Sequence, residues 1–447
     1  MKHYSFVHFV GIGGISMSAI ARALLSNSVK VSGSDTNDTK ITRELKKHGA
    51  QIFIGQSAQN ITNQDLVVYT AAVKDDNPEL KEARKKGIET IDRAEMMGRL
   101  MKDYKNAVSV AGTHGKTTTT SMMSYIMIKA NLDPTVMVGG ELDILGGNYK
   151  IGKKDYFVTE TCEYCRSFLK FFPTVGIILN VDEDHLDYYK DINDIKSAFT
   201  DFARLVPQDG ALVVSADDKN ALDCINGVTA PVYTFGIKNG EFTAKDITFD
   251  DFGYPHFKLY HKDEKLCDIN LNVVGIHNVS NAAACAAAAY ALGIDPKYVK
   301  EGLEAFTGTK RRFEKKGMLN GALVIDDYAH HPTEIEATLK AAKNLKYNNM
   351  WTVFQPHTYT RTLALFDKFS SVLSNAGNVI VADIYAAREK DTGLVSSKQL
   401  ADNIANAVYM PTFEQIEQYL KDNVKPGDIV LTVGAGNVVN IAEDLCN

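Results

Sequence analysis

Short apolar runs recur along the chain, separated by stretches in which apolar residues return every three or four positions. "FVHFV" (6–10) is a strand-length run, "GIGGIS" follows it, and Met17 to Leu25 carry apolar residues at helical spacing. "VKVSGSD" reads as a second strand, "TKITRELKKHG" as a helix ended by Gly49, and "QIFIG" and "DLVVYT" as a third and fourth strand. Such alternation gives a doubly wound parallel sheet. The polar stretch "KDYKN" (Lys102 to Asn106) is the seam to a second α/β unit that starts at "AVSVAG". Its first helix, "TTTTSMMSYIMIKANL", is apolar almost all round and therefore buried, and it stops near Asp133-Pro134. "YFVTE", "VGIILNV" and "GALVVSA" are of buried-strand length, and "VSNAAACAAAAYALG" is a helix whose alanines allow close packing. Around Gly308 the chain turns basic at "KRRFE", and "GALVIDDY", "MWTVFQ", "NVIVADIY" and "DIVLTVG" build a third α/β unit. The expected division is 1–104, 105–308 and 309–447.

Length agrees with this pattern, because 447 residues correspond to three domains of about 150 residues each. Apolar residues at 45% and charged residues at 23% are those of a soluble globular protein. A formal net charge of -6 exerts no long-range pull on nucleic acid or an anionic membrane, so neither is expected as a partner. No apolar run reaches the ~18 residues of a membrane span. The chain opens as a strand running into a glycine loop rather than as a signal sequence, and a cytoplasmic protein is expected. Six scattered cysteines do not make a disulfide scaffold. Cys162 and Cys165 have redox or metal spacing without a companion pair, which favours an incidental role. Nothing here fixes the oligomeric state.

Two loops carry candidate chemistry. Gly11, Ile12, Gly13, Gly14, Ile15 and Ser16 lie between a strand and a helix, where backbone N–H groups can face a diphosphate, and Asp35 ends the next strand. A nicotinamide or flavin, a nucleotide-sugar diphosphate, or merely a tight turn all fit this loop. "SVAGTHGKTTTT" (Ser109 to Thr120) is two residues tighter than the usual triphosphate loop. In it Lys116 would reach the terminal phosphates, Thr117 would ligate magnesium, and backbone N–H groups would hold the oxygens. Further metal ligands are offered at later strand ends by Glu160 and by Asn180 and His185 in "NVDEDHLDYY". His185 stands among Asp182, Glu183, Asp184 and Asp187, which could equally be a solvated face.

With "GTHGKTTTT", "TETCEYCRSF", "NVDEDHLDYY", "GIHNVSNAAA", "GTKRRFE", "DDYAHHPTEI" and "FQPHTYTRT" in this order, the chain resembles the Mur ligases over essentially its whole length. A short glycine loop is characteristic of that family. The resemblance implies a Rossmann-like N-terminal domain, a central P-loop-type ATPase domain with a mostly parallel sheet, and a Rossmann-like C-terminal domain. It implies that the first domain holds the UDP part of UDP-N-acetylmuramate, with Gly11 to Ser16 around the diphosphate. ATP, as co-substrate, would sit on Gly112, Thr113, His114, Gly115, Lys116, Thr117 and Thr118. Thr117, Glu160 and His185 would meet two magnesium ions. His277, Asn278 and Asn281 match the adenine-side motif, Arg312 the phosphate-contacting arginine, and Asp326 the acidic residue at the nucleotide. His330, His357 and Arg361 match the domain that closes over the amino-acid site, with Arg361 suited to the substrate carboxylate.

The best match is the branch that adds L-alanine to UDP-N-acetylmuramate through an acyl phosphate. The alternative is the branch that adds a recycled tripeptide to the same nucleotide. A nicotinamide-dependent oxidoreductase would leave the ATP loop unexplained, and a non-catalytic regulator would have no reason to keep Lys116, Thr117, Glu160 and His185 together.

Overall fold

The computed structural model describes residues 4–70, 72–186, 188–250, 253–387 and 389–446. Among these residues the strands form three sheets of five, ten and six strands. The first runs Gln51–Ile54, Lys30–Asp35, Phe6–Val10, Leu66–Tyr69, Glu89–Asp92, all parallel. Strand order reverses beside Phe6–Val10, so the Gly11 to Ser16 loop leaves the sheet at its topological switch point, where an open α/β sheet leaves a crevice. The fifth strand, Glu89–Asp92, has one buried residue in four and shows no apolar run.

In the second sheet Asn106–Ala111 is central, flanked in parallel by Val175–Ile178 and Tyr156–Glu160. It delivers the glycine loop directly into the helix Lys116–Lys129. That helix is buried from Thr119 to Met127. Its inward hydroxyls turn back on the helix itself, with Ser121 Oγ donating to the Thr117 carbonyl and Ser124 Oγ to the Thr120 carbonyl, both at 2.7 Å. These two serines are thereby satisfied inside the fold, whereas the buried hydroxyls of Thr119 and Thr120 have no hydrogen-bond partner among the described residues. The sheet also extends through the antiparallel strands Phe242–Phe249, Pro255–His261 and Glu264–Asn270. Pro255–His261 alternates buried and open positions, unlike the continuous apolar runs of the parallel strands.

The third sheet places Ile429–Val433 between Ala322–Asp327 and Met350–Phe354, continues to Asn378–Val381 and Ala407–Tyr409, and is edged by the antiparallel strand Glu314–Leu319.

Small residues set the spacing around the helix Lys116–Lys129. The alanine-rich helix Ile276–Ala291 covers one side, and Pro296–Ala305 crosses another with Gly302 against the Ile126 backbone. A Cβ on Gly302 would lie 2.5 Å from Ile126 Cα. Gly302→Ala gains up to about 1 kcal/mol of helix propensity but forces two backbones apart, which costs about 1–3 kcal/mol. The expected outcome is a lower urea midpoint for this variant. An unchanged or raised midpoint would contradict backbone-to-backbone packing here.

Candidate active site

The short loop is built by left-handed glycines and one asparagine. Gly112 (φ 147°) and Gly115 (φ 83°) take conformations that a side chain would strain, and Gly115 caps the helix with no side-chain acceptor over its first N–H groups. Uncapped N–H groups at a helix start are suited to an anion. Asn180 clamps the loop: Oδ1 accepts from His114 N at 2.8 Å, Nδ2 donates to the His114 carbonyl at 3.1 Å, and its own carbonyl accepts from Thr113 N at 3.2 Å. Asn180 is thus a loop holder as well as a strand-end residue.

Lys116 folds back over this loop. Its ammonium donates to the carbonyls of Gly112 and Thr113 and lies 3.0 Å from the Glu163 carboxylate, which is 4% exposed. Burial alone would lower the lysine's proton affinity, but Glu163 reverses that and holds it raised. Glu163 also lies 3.6 Å from His185 Nε2. Sequence reading passed over it, although it stands three residues beyond Glu160 in the same motif. Thr117 Oγ1 donates to Glu160 at 2.6 Å. A hydroxyl and a carboxylate oxygen this close, with an imidazole nearby, fit a hard divalent cation such as magnesium. His185 is held at φ 54°, and Arg311 (61°), Phe313 (52°) and Thr358 (65°) are likewise left-handed, so strain gathers around the cleft. Asp187 lies outside the described residues.

His277, Asn278 and Asn281 share a cavity with His114, Thr118 and Arg312. Asn278 Nδ2 donates to the Val274 carbonyl at 2.8 Å and its Oδ1 accepts from Asn281 at 3.1 Å, which fixes the orientation of that amide. Burial, reinforced by Arg312, holds His277 neutral with a pKa near 4. Asp326 does not reach this cavity. It is fully buried, bound to Arg311 Nε at 3.0 Å and to Thr432 Oγ1 at 2.7 Å. Side chains alternate across a strand, so its neighbour Asp327 faces the cavity instead. Burial pushes the Asp327 carboxyl up to about 6 against the pull of Arg312.

On the C-terminal side, Arg361 Nη2 donates to Asp184 at 3.2 Å and Nη1 lies 3.3 Å from His357 Nδ1. The His330 and His357 rings stand 5.8 Å apart. Burial pushes the Asp184 carboxyl up, but His185 and Arg361 outweigh it and hold the group far below the usual range. In the N-terminal loop the N–H groups of Gly11 and Ile12 are taken by the Ser34 carbonyl, at 2.9 and 3.0 Å, and that of Gly13 by Asp35 at 2.9 Å. Asp35 therefore shapes the loop in this conformation. The Ile12 side chain is buried against Gly33, while Ile15 is open and Ser16 partly so.

The sites connect. Ser16 and Arg93 share a cavity with Lys116 and Glu160. Lys116 also lines a second cavity with Thr117, His185, Arg312 and His330. His185 and His330 in turn line a third with His357 and Arg361. Arg93, which no motif flagged, begins the helix Arg93–Met101 and lines the first of these cavities with Ser16 and Lys116.

Comparison with known proteins agrees with this arrangement. Residues 6–105 match the Mur ligase family catalytic domain, 110–289 the Mur ligase middle domain, and 311–436 the Mur ligase glutamate ligase domain. The chain is 53% identical over 446 residues to UDP-N-acetylmuramate–L-alanine ligase of Acetivibrio thermocellus, covering 98% of this chain and 95% of that one. It is 52% identical to the enzyme of the same name from Clostridium novyi, covering 98% and 96%. Among solved structures, UDP-N-acetylmuramate-alanine ligase MurC of Thermotoga maritima superposes with a TM-score of 0.81 at 32% identity over 99% of this chain and 98% of that one. A murein peptide ligase of Psychrobacter arcticus superposes with 0.74 at 26% identity, again over 99% and 98%. With three parts of one family matched in order and relatives more than half identical over nearly its full length, the chain belongs to the Mur ligase family.

Proposed function

We propose that this protein is an ATP-dependent amide ligase that joins L-alanine to the lactyl carboxylate of UDP-N-acetylmuramate, giving UDP-N-acetylmuramoyl-L-alanine, ADP and phosphate for peptidoglycan synthesis. The observation that carries the reading is the run of three cavities, joined by shared residues, from the Ser16 loop past Lys116 to Arg361. A carboxylate brought from the first cavity meets the terminal phosphate at Lys116, and an amine from the third meets the product of that encounter. The units 1–104, 105–308 and 309–447 divide the work as UDP-substrate holder, ATP holder and amino-acid holder.

ATP phosphates would lie on Gly112 to Thr118 and take over from Glu163 as partner of Lys116. His277, Asn278 and Asn281 face the base, and Asp327 takes the place that sequence reading gave to Asp326. Thr117, Glu160 and His185 would hold magnesium, two ions being expected, which supplies charge neutralisation at the phosphates. The substrate carboxylate oxygen attacks the γ-phosphorus and ADP leaves, forming an acyl phosphate. Two anions approach in that step, and Lys116 and Arg312 lower its barrier by meeting them with positive charge. The neutral amine of alanine then attacks the carbonyl carbon, loses a proton, and expels phosphate. Arg361 and His357 hold the alanine carboxylate, while His330 faces the reacting end. An acyl phosphate must be kept from water, which suits a cleft closed by the C-terminal unit. Substrates of this kind place the reaction in the bacterial cytoplasm, and no described helix is long and apolar enough to cross a membrane.

Relatives named as alanine ligases at 53% and 52% identity favour alanine over a tripeptide, for which the murein peptide ligase structure stands at 26%. The test is phosphate release from ATP and magnesium with UDP-N-acetylmuramate, with and without amino acid. Release is expected to require L-alanine, and release with the tripeptide but not alanine would transfer the assignment to the recycling branch. Lys116→Ala is expected to reduce turnover by at least about 10²–10³-fold, the size of losing one charge-stabilising donor. Arg361→Ala is expected to raise the alanine KM at least tenfold, since a hydrogen bond to a charged group contributes about 1.5–3 kcal/mol. The KM for UDP-N-acetylmuramate should stay within about threefold in that variant; a shift in the UDP-substrate KM alone would move Arg361 out of the amino-acid site.

A further inference from the structure

One side chain of the ATP loop is held by two carboxylates from different units. His114 Nε2 lies 3.3 Å from Asp182 Oδ2, and Nδ1 lies 3.3 Å from Glu334 Oε1. Both ring nitrogens face carboxylate oxygens, which cannot donate, so both must carry protons and the ring is an imidazolium. Asp182 belongs to the central unit, following Val175–Ile178, whereas Glu334 sits in the first turn of the helix Pro332–Ala342 of the C-terminal unit. Glu334 does more than meet His114. It accepts from the His330 backbone N–H at 3.0 Å and lies 3.3 Å from His330 Nδ1. It also accepts from the His331 N–H at 3.3 Å.

Around this carboxylate the two units are further joined. Thr333 Oγ1 donates to Asp182 at 2.8 Å, and His331 Nε2 meets the Glu183 carbonyl at 3.0 Å. Lys368 reaches Glu183 at 3.1 Å on the rim.

His114, Asp182 and His331 bring ligand atoms within 4.8 Å of one another, the spacing of a metal site. The hydrogen bonds decide otherwise. His331 Nε2 must donate to a carbonyl, and its Nδ1 accepts from Thr333 N at 3.3 Å. Neither ring leaves a lone pair for a cation.

We propose that His114 and Glu334 are a positioning couple: the imidazolium seats the C-terminal unit on the ATP loop, and the carboxylate transmits that seating to His330, so that the amino-acid half of the site is assembled in register with the ATP half. The couple rests on the ligase reading for what the assembled cleft does, but its seating role is a property of the chain alone. Neither residue is a catalytic group in this role.

The groups facing His114 are Asp182 from the central unit, and Glu334 and the His331 ring from the C-terminal unit, with Arg312 and His330 acting on Glu334. Burial disfavours the charged ring, but Asp182 and Glu334 outweigh it and raise its pKa to about 9. Burial pushes the Glu334 carboxyl up, while His330, His114 and Arg312 keep it ionised. His331 is kept neutral by burial and by the charge on His114. A group whose folded pKa is raised stabilises the seated state below its unfolded value near 6.5, and that contribution is lost as pH rises through about 9.

The experiment is small-angle X-ray scattering of the full-length protein from pH 7 to 10 without substrates, on wild type, His114→Gln and His114→Arg. Wild type is expected to be compact at pH 7 and to expand with a midpoint near 9. His114→Gln should be expanded already at pH 7 and show no such midpoint, and His114→Arg, permanently charged, should stay compact throughout. In parallel, Glu334→Gln should raise the alanine KM about tenfold, within the usual range of coupling between sites, with a smaller change in the KM for UDP-N-acetylmuramate. Identical scattering for all three proteins, or an alkaline expansion that persists in His114→Gln, would overturn the proposal. If the scattering behaves as expected but no amino acid supports phosphate release, the seating stands and the ligase reading fails.

Discussion

A buried ammonium requires an anion, and the architecture of the cleft follows from where Lys116 finds one. The short glycine loop brings this lysine back over its own carbonyls, and the charge it meets there is the buried carboxylate of Glu163. An unpaired charge at that depth would be worth several kcal/mol against folding. The pair therefore keeps the loop in shape, and under the proposed function a triphosphate would replace Glu163 with a stronger set of oxygens. Glu163 also lies beside His185, so under the proposed function ATP on this loop would alter the electrostatics at His185 as well as at Lys116.

Everything around the loop serves to hold it still. Asn180 clamps both faces of the His114 peptide, alanine and glycine let neighbouring helices approach the loop's own helix, and Gly112 and Gly115 take the backbone angles that the tight turn needs. Rigidity on this side has a counterpart on the other, where the C-terminal unit is attached by a few polar contacts rather than by a broad apolar core. Such a seam can open and close, as a ligase must to admit three substrates and then exclude water.

Much of this was legible in the sequence, and the exceptions have physical causes. The alternation of buried strands and helices displays itself as apolar runs, so the three α/β units and the order of their main strands could be read directly. Pro255–His261 alternates with period two over few residues, and Phe242–Phe249 is buried only over its first three, so neither displays the apolar run that marks the parallel strands. Motifs located Lys116, Thr117, Glu160, His185, Arg312, His330, His357 and Arg361, which the fold brings to one run of cavities. Asp326 and Asp327 cannot be told apart in sequence, because only strand pleat decides which carboxylate faces the cleft and which pairs with Arg311. Glu163 and Glu334 act through partners 47 and 220 residues away, Lys116 and His114, Arg93 only shares a cavity with Lys116, and no local pattern carries such distances.

The central claim is that Glu163 keeps the place of the terminal phosphate on Lys116. A crystal structure of the full chain with magnesium and a non-hydrolysable ATP analogue tests it most directly. The account predicts Lys116 Nζ within hydrogen-bonding distance of the terminal phosphate oxygens and withdrawn from Glu163. Phosphates bound elsewhere, with the Lys116–Glu163 pair intact, would contradict it.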